Sequence, residues 1–304
     1  MLDVRRLRLL RELALRGTIA AVADALAFTP SAVSQQLSAL EREAGVPLLE
    51  RTGRRVVLTP AGHHLVEHAE AVLERLERAA ADLAAARQGP SGPLRIGVFP
   101  TAARALVPAA LARLADGYPG LEPRVCEVDP AAVGDALRAG ELDVALVHDY
   151  DFLPALSEPG LATEPLCAEA MYLATALAGP HAGAASIDDC ADAPWITAPQ
   201  GTMCHTMSVR ACHAAGFAPR IRHQVDDFAT VLALVAIGQG VALVPQLGSA
   251  EPPEAVRLTP VPIRRRTRIA FRRGAGAHPA VAALATALRS SVPDALRSAA
   301  ARRA

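Results

Sequence analysis

The sequence predicts an α/β protein in three parts: a winged helix-turn-helix over residues 1–59, a long linking helix over 60–88, and a two-lobed α/β domain over 94–304. Three observations predict it. The first sixty residues carry paired helix stop and start signals and an arginine-tipped hairpin. The next stretch repeats apolar residues at alternating steps of four and three. From Leu94 onward, short apolar runs alternate with helical patterns.

The first three helices are set by their punctuation. Gly17 with Thr18 ends one helix and caps the next, and Thr29 with Pro30 supplies an N-cap and a first helical residue, so helices are expected at roughly 3–16, 18–26 and 30–44. In the third, Val33, Leu37, Leu40 and Ala44 recur on one face while Ser31, Ser34, Gln35 and Ser38 share the other. Alone, such a polar face is an ordinary solvated surface. After a short helix and a tight turn, and before a hairpin with Thr52, Gly53 and Arg54 at its tip, it occupies the place of a recognition helix.

Thr59 with Pro60 repeats the start signal and opens the long helix, whose Leu65, Ala69, Val72, Leu76, Ala79 and Leu83 have coiled-coil spacing. At 1.5 Å per residue it extends on the order of 40 Å, enough to pair with the same helix of a second copy; the alternative is a helix lying on its own domain. GPSGP at 89–93 reads as a hinge, because consecutive Gly and Pro cannot continue a helix.

In the remainder, LRIGVF, a helix through Leu106 and Leu114, RVCEV, a helix from Pro130 to Ala139, and DVALVH form a parallel α/β lobe. WITA, a helix from about Met203 to Ala215, IRHQV, a helix from Phe228 to Ile237, and VALVP form another. The segments around LATEPL and TRIAFRR read as two crossings, giving a first lobe of about 94–161 and 266–304 and a second of about 162–265. Such an arrangement leaves a ligand cleft at the strand ends.

Composition narrows the chemistry. The formal net charge is zero, so affinity for nucleic acid requires a local patch rather than a global field. Lysine is absent, which excludes P-loop and Schiff-base mechanisms. Five scattered cysteines suit reduced thiols, the N-terminus lacks a signal-peptide pattern, and no run is long and apolar enough for a membrane span, so a cytoplasmic protein with no membrane partner is expected. HLVEH at 64–68 matches an inverted zinc motif, but it lies at the start of the linking helix with no pocket in prospect. Cys204–His205 and Cys212–His213 place His205 and Cys212 on one helical face, open to metal or redox chemistry or to incidental polar roles. Gly238 and Gly240 lead from helix to strand and read as a turn, and no nucleophile elbow is present. Neither a cofactor nor a catalytic or metal site is expected. The rival readings are an enzyme and a small-molecule-binding protein without specific DNA binding.

The stretch TIAAVADALAFTPSAVSQQLSALEREAGVPLLERTGRRVVLTPAG resembles the DNA-binding region of LysR-type transcriptional regulators, and GQGVALVP at 238–245 resembles a motif late in that family's effector domain. The resemblance spans essentially the whole chain. It implies a transcription regulator with a periplasmic-binding-protein-like effector domain, acting as a homodimer or tetramer on double-stranded promoter DNA, with a small-molecule effector and RNA polymerase as partners. It places DNA contacts on Thr29, Pro30, Ser31, Ser34 and Gln35, with Arg51 and Arg54 on the wing; a Gln amide pairs with adenine, and wing arginines suit phosphate or the minor groove. The chain departs from the family pattern at Thr29, where Gln is common, and at Gln35, where Arg is common. Effector contacts are implied at Thr101, Asp129, His148, Thr202, Asp227 and Phe228, where helix N-termini face the cleft and backbone N–H groups can hold an anion. Thr101, Thr202 and Asp227 read equally as plain helix caps. The acidic run HDYD at 148–151 admits an amine-bearing ligand or a solvated loop.

Overall fold

The computed structural model describes residues 1–53, 55–87, 89–153, 158–294 and 296; Arg54 and Gln88, both named above, and the last eight residues of the first lobe lie outside the described residues. Asp3 opens α1 (Val4–Arg16) by accepting from the Arg5 and Arg6 amides, and Gly17, at φ 73°, closes it. Thr18 caps α2 (Ile19–Ala25), and Thr29 caps α3 (Pro30–Ala44) through the Ala32 amide at 3.2 Å. The wing is an antiparallel pair, β1 (Leu49–Thr52) and β2 (Arg55–Leu58). Leu10, Val22, Val33, Leu37, Leu40 and Leu48 close around one core, as the periodicity of the third helix requires.

Thr59 caps α4 (Pro60–Ala85), which ends three residues short of the expected boundary. Its apolar stripe divides. Ala69 is fully buried in the head's core and Leu65 packs against the same core, so neither belongs to an open seam; Val72, Leu76 and Leu83 remain exposed. A 3.6-residue period rotates the stripe from the head onto a free side over the helix's length, so one stripe serves two surfaces.

Among the described residues, one six-stranded sheet runs through the rest of the chain in the order β4-β3-β5-β10-β6-β9. These strands are β3 (Gly92–Val98), β4 (Leu121–Glu127), β5 (Val144–Tyr150), β6 (Leu161–Ala176), β9 (Ala242–Pro245) and β10 (Val256–Arg272). β3 pairs in parallel with β4 and β5, whereas β10 runs antiparallel to both β5 and β6. The long strands β6 and β10 are the two crossings. Register shifts at Val261/Arg264 and Thr267/Arg268 bend the pair where it passes from one lobe to the other.

Helices cover the sheet: α5 (Pro100–Ala105), α6 (Val107–Gly117), α7 (Pro130–Ala139) and α10 (Pro279–Ser291) on the first lobe, α8 (Met203–Ala214) and α9 (Phe228–Ala236) on the second. The single helix expected through Leu106 and Leu114 is two helices broken at Leu106, because Pro108 has no N–H to continue the first turn's ladder. A two-stranded parallel sheet of β7 (Pro194–Thr197) and β8 (Arg220–Gln224) joins the second lobe through a bridge from Trp195 to Val241. No helix among the described residues is long and apolar enough to cross a membrane.

The head rests on the first lobe through charge. Arg16 pairs with Asp135 of α7 at 2.6 Å, and Arg138 lies between Glu158 at 2.7 Å and Glu12 of α1 at 3.9 Å. Arg272 of β10 reaches Glu77 of α4 at 2.6 Å. Gly274, at φ 95°, passes so near α4 that a Cβ would stand 2.5 Å from the Glu74 carbonyl oxygen; only glycine allows that approach.

Candidate functional site

Two places gather the residues singled out in the sequence. On the head, Thr29, Pro30, Ser31, Ser34 and Gln35 are all exposed on the front of α3, backed by buried Val33, Leu37 and Leu40. The Thr29 and Ser31 hydroxyls lie 3.0 Å apart, so the helix start presents a joined pair of hydroxyls. Arg51 is exposed on β1. Ala27, at φ 54°, is the non-glycine residue in the left-handed region that turns α2 into α3, and it leaves Phe28 exposed beside the polar face.

The second place is a cavity of about 160 Å³ between the lobes, lined by all six residues implied as effector contacts: Thr101, Asp129, His148, Thr202, Asp227 and Phe228. The local reasons are legible. Asp129 caps α7 through the Ala131 amide at 2.8 Å, Thr202 caps α8 through His205 at 3.2 Å, and Asp227 caps α9 through Thr230 at 2.9 Å. These caps also face the cleft. Thr101 is not a cap; Phe99 holds that position, and the Thr101 hydroxyl accepts from an Arg265 guanidinium N–H at 2.8 Å.

Arg265 is the feature that sequence reasoning missed. It is 1 % exposed, donates to Glu169 Oε1 at 2.8 Å and lies 5.1 Å over the Phe99 ring. Glu169 is itself fully buried and accepts the Leu247 amide at 2.6 Å. Burial alone would lower the Arg265 pKa, but Glu169 raises it above the ordinary guanidinium value, so the cation is held charged. In the sequence, Arg264, Arg265 and Arg266 form an undifferentiated run; strand alternation offers the only signal that the middle one turns inward.

His148 packs edge-on between Phe99 at 4.7 Å and Tyr150 at 5.4 Å. Burial, then the charge of Arg265, holds its pKa well below 6.5, so the imidazole is neutral. The Cys204 thiol lies 3.2 Å from the Tyr150 hydroxyl and 3.7 Å from His148 Nε2. Asp149 and Asp151, the acids of the HDYD run, do not line the cavity: both pair with Arg266, at 2.6 and 2.5 Å. The cleft's negative charge comes instead from Glu127, Asp129, Asp226 and Asp227. Partial burial, then Asp129, Asp227 and Glu127, raise the Asp226 pKa; bonds from the Thr230 amide and hydroxyl, with help from Arg104, lower that of Asp227.

The other flagged residues are engaged elsewhere. His205 Nδ1 meets the Ala198 carbonyl at 3.0 Å, Cys212 is buried in the second lobe's core, and His64 and Glu67 are exposed on α4. No cluster of three or more metal-ligating side chains occurs among the described residues.

A helix-turn-helix with an exposed polar recognition helix, joined to two lobes around a lined cavity, defines a DNA-binding regulator that carries its own ligand-sensing domain. Residues 4–63 match the family model "Bacterial regulatory helix-turn-helix protein, lysR family", and residues 87–293 match "LysR substrate binding domain". The chain belongs to the LysR family of transcription regulators. It is 37 % identical over 242 residues to a "Probable hydrogen peroxide-inducible genes activator" of Mycobacterium avium, covering 77 % of this chain and 74 % of that one. A protein of the same description from Streptomyces viridosporus is 34 % identical over 283 residues, 90 % of this chain and 88 % of that one. Among solved structures, a mutant of Corynebacterium glutamicum OxyR superposes with a TM-score of 0.59 at 28 % identity, over 99 % of this chain and 94 % of that chain. CbnR in complex with its target DNA shares the fold at a TM-score of 0.54 and 24 % identity, over 96 % of this chain and all of that one.

Proposed function

We propose that this regulator reads promoter DNA with the front of α3 and the wing, and that a small molecule held in the interlobe cavity shifts the lobes between two arrangements and so changes the spacing of paired heads. The reading rests on one observation: Thr29, Pro30, Ser31, Ser34 and Gln35 form a continuous exposed face whose opposite side is locked into a core. Gln35 has the amide for adenine N6 and N7, and Thr29, Ser31 and Ser34 supply hydroxyls for phosphate or base edges. Arg51 and Arg54 contact the backbone. Residues 1–59 are the DNA-binding unit, 60–88 the dimerisation segment, which contains α4, 89–93 the hinge, whose last two residues open β3, and 94–304 the effector unit. The protein acts in the cytoplasm as a homodimer or tetramer, works by binding without a catalytic step, and hands its signal to RNA polymerase.

The test is binding of the full-length protein to its own upstream DNA against a scrambled fragment at near-physiological salt, where non-specific affinity is weak. A preference of about a hundredfold or more is expected, and equal binding to both fragments refutes the reading. Gln35→Ala is expected to lose about 1–3 kcal/mol of discrimination at one operator position, while Arg51→Ala weakens all sequences and flattens the salt slope.

The relatives named for peroxide inducibility raise a thiol-based alternative. A peroxide-reactive cysteine needs its thiolate. Here burial pushes the Cys167 and Cys190 thiols up to about 11 and the Cys212 thiol up to about 12, and it also raises Cys204 at the cavity wall. This favours a bound effector over oxidation at any of these four thiols; Cys126, exposed on β4, lies outside that argument. Peroxide-dependent operator binding that disappears in Cys204→Ala overturns that preference.

A further inference from the structure

We propose that the cavity of this regulator takes a small organic cation, an amine with an apolar body, rather than a carboxylate; the proposal rests on the reading of the cavity as the effector site. Charge accounting leads there. Both arginines that line the cavity already have carboxylate partners: Arg104 pairs with Asp227 at 3.1 Å, and Arg265 with Glu169 at 2.8 Å. Glu127, Asp129 and Asp226 line the same cavity, and none has an ion-pair partner among the described residues. Burial raises the Asp226 pKa first and repulsion from Asp129, Asp227 and Glu127 adds to it; a cation relieves that repulsion whereas an anion adds to it.

An independent observation inside the cavity agrees. His148, which lines it, is 3 % exposed, and its Nδ1 has no hydrogen-bond partner among the described residues. Buried polar nitrogens are ordinarily partnered. In the tautomer that donates from Nε2 to the Cys204 sulfur, Nδ1 keeps a lone pair, so this wall of the cavity is a neutral acceptor and not a cation that would hold a carboxylate. Phe99 and Phe228 supply apolar walls, and a π-face attracts a cation. An anion held at the cap positions would instead displace the Asp129 and Asp227 carboxylates that already occupy the first-turn amides of α7 and α9.

The experiment is calorimetric titration of the full-length protein with two matched pairs: benzylamine against benzoate, and butane-1,4-diamine against succinate. At least one amine is expected to bind about tenfold or more tightly than its carboxylate counterpart, a difference of about 1.4 kcal/mol. The double variant Glu127→Gln, Asp226→Asn, both exposed on the rim, is expected to lose about tenfold in amine affinity and to bind the carboxylates better. Its thermal midpoint serves as the folding control. Carboxylates that bind as tightly as their amines in both pairs, no heat from either amine, or a variant indistinguishable from the parent overturns the proposal. Operator binding by the same parent preparation separates the cases: if it holds while the amines fail, only the cation assignment falls, and if it is lost, the regulator reading falls with it.

Discussion

At the residue scale, the molecule's most demanding choice is to bury Arg265 and Glu169 together behind the cavity. Two ions removed from water are stable only as a satisfied set, and here Thr101 and the Leu247 amide complete it. Glu169→Gln leaves the Arg265 charge buried with a neutral partner and is expected to cost about 3–5 kcal/mol, measured by urea unfolding. An unchanged midpoint would mean that water reaches the guanidinium. His148 carries a linked pH signature. Its pKa is depressed in the folded chain, so the unfolded chain takes up the proton first; stability is fully present above pH about 6.5 and is lost as pH falls below it. Arg265 adds a positive charge nearby, Tyr150 and Cys204 flank the ring with pKa values pushed up by burial, and the carboxylates of the same cavity, Glu127, Asp129, Asp226 and Asp227, do not offset these effects. In His148→Phe the decline between about pH 6.5 and 5 should flatten; an equal slope in both proteins would assign it to other groups.

At the element scale, α4 is where one periodic stripe is shared between a core and an exposed face. Ala69 and Leu73 are committed inward, and Val72, Leu76 and Leu83 look out, with Leu83 at 72 % exposure. An apolar row on an isolated helix is ordinary; on the helix that links two domains it fits a second copy's helix. Leu76→Asp with Leu83→Asp is expected to reduce the oligomer to a smaller species by sedimentation while preserving the monomer's circular dichroism. A double variant that keeps the parent's mass would move the dimer contact off this face. The helix start is equally local in its cause, since Thr59 bonds both the Gly62 amide at 3.1 Å and the Pro47 carbonyl at 2.9 Å, tying wing and linker to one hydroxyl.

At the scale of the whole molecule, the head meets the first lobe through paired charges rather than a shared apolar core. The Arg16–Asp135 pair is half exposed on its acidic side, so it contributes about 0.2–1 kcal/mol and weakens with salt. A contact of that strength suits two domains that must change their relation. Asp135→Arg sets a positive charge against Arg16 and Arg138 and is expected to enlarge the hydrodynamic radius, as added salt does in the parent. A radius that responds to neither would show that the apolar contacts along α4 alone hold the head in place. Because α7 carries both Asp135 and the cap Asp129 that lines the cavity, one ten-residue helix touches head and cavity at once.

The sequence by itself determined what is decided within about four residues: the caps Thr18, Thr29, Thr59, Thr202 and Asp227, the glycine stop at 17, and the apolar and polar faces of α3. Those local signals were enough for the order of elements, and the resemblance to the LysR family, laid over the strand ends and helix starts, implied six residues that come to line one cavity. Only the tertiary structure decided the rest. Arg265 and Glu169 are 96 positions apart, and which arginine of a run turns inward depends on the strand register opposite it. The acids of HDYD were drawn out of the cleft by Arg266 on a neighbouring strand, while Asp226 and Glu127 were brought in from two lobes. Caps and periodicity are short-range and readable along the chain, whereas the charge of a cavity is a sum over distant segments and exists only once they are packed together.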